Sequence, residues 1–490
     1  MKREERKTLN RMFFPRALAF FGGISKPGSF GQLTLLSQIR YGYKGAVYPI
    51  SEKGGEIAGM KIYTHVSDIK SPFDLASVSV PARAVPDVLE KCMTHGAAGA
   101  QVHSSGFAEA GNPEGIALEA RVSEIASRGL RVIGPNCFGI HCPAGGITLL
   151  PGYDFSTNSG TVAMISQSGG VAADFCFEAE HVGIGLSKVV SFGNGCDLDA
   201  ATLMDYLIDD PDTSIIAAYL EGARHGRRFF DMLTRVASKK PVVIWKGGLT
   251  PLGSRAAFSH TGSLGGERQA WEGVFRQTGA IPVQGLDQMI DTLAALAYIK
   301  KPVQRIALLG GGGAIGVYGS DLAHRWGLEI PPFSPETRKR LRKHFPTPGN
   351  SMKNPLDTGT PVLPLETVGA LASEILTSEP LDALILIMLL RPLEVEIRSF
   401  FRMSGMEPPV RGKYLKDLAV VLTELKRRTG KDVIMVLDNR AHKVGETAVE
   451  KIFRETRLLF QAGGIPVYPG IEQALGGIGR AFGAERKVIR

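Results

Sequence analysis

A chain of 490 residues is long for one hydrophobic core and predicts two to four domains. Its 44% apolar and 21% charged residues suit a soluble globular protein, and the net charge of +9 is mild for the length. Basic residues are scattered except at "MKREERK" and "KRLRK" (339–343), read as a frayed terminus and a solvated helix face; this argues against nucleic-acid or membrane binding and leaves small polyanions such as nucleotides open.

The N-terminal "MFFPRALAFFGG" is interrupted by Pro15 and Arg16, is too short to span a bilayer and has no small-residue cleavage site. It reads as a loop and then a buried strand. From there short apolar runs alternate with helical patterns, the signature of parallel α/β sheets. The first series is "ALAFFG" (17–22), "AVYPI" (46–50), "LASVSVP" (75–81), "GAQVHS" (99–104) and "RVIG" (131–134). The second is "TVAMIS" (161–166), "KVVSFG" (188–193), "IIAAYLE" (215–221) and "PVVIWKG" (241–247). The third is "RIALLGG" (305–311), "ALILIML" (383–389), "DVIMVLD" (432–438) and "IPVYPG" (465–470). The weakly periodic stretch 142–160 and "YIKKPVQ" (298–304) divide the series. The expected fold is therefore α/β with three doubly wound domains: a Rossmann-like domain over 1–147 and two flavodoxin-like domains over 148–301 and 302–490.

"TVAMISQSGGVAADFCFEAEHVGIGL" and "RIALLGGGGAIGVYGSDLAHRWGLEI" share strand, polar glycine turn, helix and terminating glycine, so the last two domains read as copies of one unit. Gly169 answers Gly312, and Gly183 answers Gly327. Residues 391–416 interrupt the third domain as an irregular excursion. Cys92, Cys137, Cys142, Cys176 and Cys196 form no C-x-x-C pair or zinc-type spacing, which points to reduced, mostly buried thiols, a cytoplasmic protein and no metal site.

Chemistry concentrates where strands end. In "FFGGISKPGSFGQLTLLSQIRYG" (20–42) a strand enters a glycine- and serine-rich turn ahead of an amphipathic helix, an arrangement that brings backbone N–H groups onto a phosphate. Gly22, Gly23, Gly28 and Gly31 do not form G-x-G-x-x-G, and a plain tight turn explains them equally well. After the next strand, Glu52 offers itself to a ribose, but Lys53, ahead of two glycines, suits a phosphate better; a nicotinamide-dependent dehydrogenase is disfavoured on both counts. "VPARAV" (80–85), "QVHSSGFAEAG" (101–111) and "VIGPNCFGI" (132–140) end on the same edge, where open α/β sheets bind ligands.

In the second domain Ser166, Ser168, Gly169 and Gly170 present a polar helix start that favours an anion, and Gly312 and Gly313 offer another; both are equally readable as capped helices. His260 lies in "SHTGSLGG" (259–266), among small residues. A neutral imidazole accepts a phosphoryl group when a carboxylate orients its other nitrogen, and a loop with little packing lets it serve two places. Glu221, ending "IIAAYLE", is the candidate carboxylate, with a structural ion pair as the alternative. His103 and His141 are expected at most to line a pocket.

The run "GPNCFGI", "ISQSGG", "YLEGARHGRRF", "KKPVVIWKGG", "SHTGSLGG", "FRQTGAI" and "NPLDTG" resembles the NDP-forming acyl-CoA synthetases, and more narrowly the α subunits of ADP-forming acetate–CoA ligases, over about residues 10–480. Succinyl-CoA synthetase α chains are more distant relatives. The resemblance implies a reaction in three parts: acyl-CoA and phosphate give acyl phosphate and CoA, the acyl phosphate phosphorylates His260, and the phosphohistidine passes its phosphoryl group to Mg-ADP. It implies that Glu221 orients His260, that Ser166, Ser168, Gly169 and Gly170 hold the phosphoryl group, and that the first domain holds CoA. The implied CoA contacts are Gly22, Gly23, Ser25, Gly28, Phe30 and Gly31 in the first turn, with Ser51 and Lys53 in the second. Val80, Pro81, Ser104, Ser105, Gly106 and Asn136 continue them along the edge. No segment resembles an ATP-grasp domain, so a separate ATP-grasp β subunit is expected, in an αβ or α2β2 assembly. A non-catalytic CoA-binding or metabolite-sensing protein is the other reading, and it has no use for the His260–Glu221 pair. "GGIS" departs from the family's first turn, which is similar to G-A-S.

Overall fold

The computed structural model describes residues 1–150, 154–255, 268–345, 352–359, 363–390, 392–407, 410, 412–438, 445 and 447–483. Its first sheet contains β1 (Ala17–Phe21), β2 (Ala46–Ile50), β3 (Leu75–Val78), β4 (Gly99–Val102) and β5 (Arg131–Ile133), all parallel, in the order β2-β1-β3-β4-β5. β1, β3 and β4 are buried at every residue, which is why they read as unbroken apolar runs.

The second sheet contains β6 (Gly139–Cys142), β7 (Ile147–Thr148), β8 (Ser159–Ser166), β9 (Leu186–Ser191), β10 (Ile215–Leu220), β11 (Val242–Lys246) and β12 (Ile281–Val283). Their order is β12-β11-β10-β8-β9-β6-β7, with β6 and β7 antiparallel and the other five parallel. The third sheet, β13 (Ile306–Gly310), β14 (Ala383–Leu389), β15 (Asp432–Asp438) and β16 (Val467–Tyr468), is parallel in chain order. Two parallel bridges, Arg305 to Glu329 and Leu309 to Leu356, continue it past β13. Numbered within each sheet, the parallel strands of the first two follow 2-1-3-4-5, and the third does so with Leu356 in second place. In this order the ligand crevice falls between the first and third strands, at their C-terminal ends.

The helices that bear on the site are α1 (Arg3–Phe13), α2 (Phe30–Arg40), α3 (Gly169–His181), α4 (Arg268–Thr278) and α5 (Gly313–Arg325). α3 and α5 are the helices of the two repeated units, and Gly183 and Gly327 end those units with φ of 72° and 68°. The turns before the helices differ: Gly310, Gly311 and Gly312 all have positive φ, at 94°, 79° and 81°, whereas residues 167–169 do not.

Three sequence readings change. The N-terminus is not frayed. α1 buries Leu9, Met12 and Phe13, three positions on one helical face, and Phe13 stacks on Tyr206 at 5.0 Å. Residues 139–147, placed with the first domain by the sequence, pair instead as β6 and into β7 on the edge of the second sheet, where Ile140, Cys142 and Ile147 are fully buried. The excursion is helical over Pro392–Glu396 and Ile397–Met403, with Leu393 buried against the third core.

The chain falls into two compact units, Met1–Glu180 with Ile184–Met289, and His181–Gly183 with Ile290–Arg490. The first unit holds the first two sheets, which share one core containing the α1 side chains. Among the described residues no helix is long and apolar enough to cross a membrane.

Candidate active site

The turn after β1 is built on close approach. A Cβ at Gly31, in the first turn of α2, would lie 2.2 Å from the Gly22 carbonyl oxygen. A Cβ at Gly22, where φ is 82°, would lie 2.7 Å from the Ser79 carbonyl oxygen and 2.7 Å from Val80. The helix start is thus pressed onto the crevice between β1 and β3, with bare backbone facing it. Ser29 caps α2 and donates to the Gly23 carbonyl.

From there the edge is continuous. Ser104 Oγ donates to the Val80 carbonyl, and the Asn136 N–H donates to the Ser104 carbonyl at 3.0 Å. Ser25, Gly28, Lys53, Pro81, Ser105 and Gly106 stand exposed along it, while Ser51 is half-buried. Such an edge, a helix start followed by exposed turns, fits the phosphates and extended chain of CoA.

Phe30, the first residue of α2, has its ring 4.8 Å from His103 and 5.4 Å from Phe138. Phe138 in turn covers the start of α3: a Cβ at Gly169 would lie 2.3 Å from its ring. One aromatic side chain therefore joins the helix start in the first sheet to the helix start in the second. Sequence reasoning missed Phe138, because an aromatic in "NCFGI" reads as core.

At the α3 start, Ser166 Oγ donates to the Ser168 carbonyl at 2.6 Å and accepts from the Ser168 N–H at 3.1 Å. Ser168 Oγ accepts from the Val171 N–H at 3.3 Å, so the helix is capped as well as polar. Gln167, also missed, joins this turn to the next: its Oε1 accepts from the N–H groups of Glu221 and Gly222. Glu221 is 5% exposed and its Oε1 accepts from Tyr219 Oη at 3.2 Å. Lys246 Nζ donates to the Glu221 carbonyl at 2.9 Å and to the Gly247 carbonyl. Burial pushes that ammonium down to about 8, against the pull of the Glu221 charge.

A polar web ties the edges of the two sheets together. Asn194 Nδ2 donates to Glu109 at 2.5 Å and to Glu119 at 2.7 Å, and Arg224 Nε donates to the Asn194 carbonyl at 3.1 Å. Glu109 in turn accepts from the Gly106 N–H at 2.7 Å, linking the turn after β4 to the turn that carries Glu221.

His103 lies beneath this edge rather than lining a pocket. Gln101 Oε1 accepts from the Ile140 N–H, which fixes the amide so that Gln101 Nε2 donates to His103 Nε2 at 2.9 Å. His103 Nδ1–H then donates to the Cys137 carbonyl at 3.2 Å, and the ring is neutral; burial holds its pKa down at about 4. His141 is 1% exposed, packs between Tyr41 and Phe155, and is also held at about 4 by burial. Four of the cysteines are buried and Cys196 is half-buried.

Gly312 and Gly313 lie in the other unit, at the start of α5, where a Cβ on Gly313 would lie 3.2 Å from Asp357 Oδ2. Among the described residues no three His, Cys, Asp or Glu side chains cluster as a metal site. His260 lies outside the described residues.

Residues 16–143 match a CoA binding domain and residues 159–296 a succinyl-CoA ligase like flavodoxin domain. The α subunit of ADP-forming acetate–CoA ligase I from Pyrococcus furiosus is 37% identical over 363 residues, covering 71% of this chain and 76% of that one. The chain belongs to the ADP-forming acetate–CoA ligase family. A second member, ADP-forming acetate–CoA ligase I of Archaeoglobus fulgidus, is 35% identical over 353 residues; the match covers 71% of this chain and 50% of that longer one. Among solved structures, dinucleotide-forming acetyl-coenzyme A synthetase 1 of Ca. Korarchaeum cryptofilum, in complex with phosphate and ADP, superposes with a TM-score of 0.80 at 30% identity and covers 98% of both chains.

Proposed function

We propose that this chain is the catalytic α subunit of an ADP-forming acid–CoA ligase, interconverting acyl-CoA, ADP and phosphate with a carboxylic acid, CoA and ATP. The observation that carries the reading is Phe138, which joins the α2 start to the α3 start inside one unit. CoA at the first and inorganic phosphate at the second lie at neighbouring helix N-termini, whose partial positive charge suits the phosphates of both.

Bound CoA supplies the acyl group as an activated thioester. The edge running through Gly22, Gly31, Val80, Ser104 and Asn136 binds and orients it. The Ser166–Gly170 turn holds phosphate, whose oxygen attacks the thioester carbonyl; the C–S bond breaks and the thiolate leaves as CoA. The acyl phosphate then gives its phosphoryl group to a nitrogen of His260 and departs as carboxylate. Glu221, fixed by Tyr219, Gln167 and Lys246, accepts the other ring N–H and stabilises the charge that develops there. In the last step His260 passes the phosphoryl group to Mg-ADP; Gly312 and Gly313 offer a second helix start suited to a phosphate.

A separate β subunit carrying an ATP-grasp site completes the enzyme, in an αβ or α2β2 assembly. The Pyrococcus relative's name, "subunit alpha", supports this, and so does the greater length of the Archaeoglobus relative. Neutral, buried thiols support a cytoplasmic setting. The test is labelling with radioactive acetyl phosphate. Acid-labile label is expected on the native chain, absent from His260→Ala and sharply reduced in Glu221→Ala; unchanged label in His260→Ala contradicts the mechanism.

A further inference from the structure

Lys246 is an expensive residue for its position. It ends a buried strand, is 4% exposed, and carries a charge into a place where an apolar side chain would pack at no desolvation cost. Its surroundings are unusual for a structural lysine. Nζ donates to the Glu221 carbonyl at 2.9 Å, at the end of β10, and to the Gly247 carbonyl, where the chain leaves β11. It also stands 5.2 Å from the centre of the Trp271 ring, on α4. Residues 248–270 run between those last two contacts and contain His260. One ammonium thus touches the turn that bears the acid and both described flanks of the segment that bears the imidazole. Gly247 is confined from the other side as well, since a Cβ there would lie 2.7 Å from Tyr219 Oη, the hydroxyl that holds Glu221.

Resting on the function proposed above, we infer that Lys246 is a positioning residue, which ties the turn bearing Glu221 to Gly247 and Trp271 and so fixes the carboxylate assigned to His260. It touches no reacting atom. Its two carbonyl bonds and its contact with the Trp271 ring fix backbone, so losing them slows transfer to His260 without altering the CoA edge.

The test uses the full chain with acetyl-CoA and radioactive phosphate, reading the initial rate of acid-labile label, alongside calorimetric titration with CoA. Lys246→Met keeps most of the apolar stem and removes the donors. Its labelling rate is expected to fall about tenfold or more while CoA affinity stays within about twofold, and Lys246→Arg is expected to recover part of the rate. Labelling of Lys246→Met at the native rate overturns the inference. So does a parallel loss of CoA binding, which makes Lys246 a support of the fold as a whole. If the native chain takes no label, the phosphohistidine reading itself fails, and this inference fails with it.

Discussion

At Gly31 a methyl group would lie 2.2 Å from the Gly22 carbonyl oxygen, well inside van der Waals contact. Gly31→Ala must therefore push α2 off the crevice. The expected cost is about 1–3 kcal/mol of stability together with a loss of CoA affinity of about tenfold or more, read by thermal melting and titration calorimetry. Unchanged CoA affinity would remove this turn from the site. Gly22 and Gly31 were legible as a ligand turn although their spacing breaks the dinucleotide fingerprint, because what the turn requires is the absence of Cβ atoms at two facing positions. Phe138, Gln167, Asn194 and Lys246 were not legible. Each acts through at least two partners more than twenty residues away in sequence, and although Phe138, Gln167 and Lys246 lie in motifs that carry the family resemblance, no local pattern assigns them a role.

Among the elements, α1 shows how charge can mask a pattern. Six of its eleven residues are Arg, Lys or Glu, yet Leu9, Met12 and Phe13 recur at helical spacing and are buried to within 1%. Phe13→Ala removes the ring stacked on Tyr206 and is expected to cost about 3–5 kcal/mol, seen as a lower denaturation midpoint in urea. A midpoint equal to that of the native chain would mean that α1 does not belong to the core. The central strands were legible because burial on both faces writes itself as an apolar run. β6 and β7 were not: they are short, antiparallel and set among glycine and proline, so they carry neither a run nor an alternation. The shared design of the last two sheets was visible in the matched glycines, although the repeat hides that one turn is built of serine in ordinary backbone and the other of three glycines at positive φ.

For the whole molecule, two buried neutral imidazoles set the response to acid. His103 and His141 both have folded pKa values held at about 4, below the unfolded value of about 6.5. Between these limits the unfolded chain binds protons that the folded chain refuses. Stability is therefore full above pH 6.5 and declines as pH falls toward 4, by up to about 3 kcal/mol for each ring. Melting temperature should drop through that window and drop less steeply in His103→Gln. A flat profile from pH 7 to 4 would show that neither ring is buried as described.

The proposed mechanism requires one compact unit to carry both a thioester edge and a phosphate turn, close enough for the chain to load its own histidine. The direct measurement is to incubate the purified full chain with acetyl-CoA and phosphate, with no nucleotide and no second subunit. Released CoA is then titrated while phosphorylated peptides are mapped by mass spectrometry under alkaline conditions. The expected result is free CoA and phosphohistidine in equal amounts, with the phosphoryl group on His260. Free CoA with no phosphohistidine, or a phosphoryl group on any other residue, would contradict it.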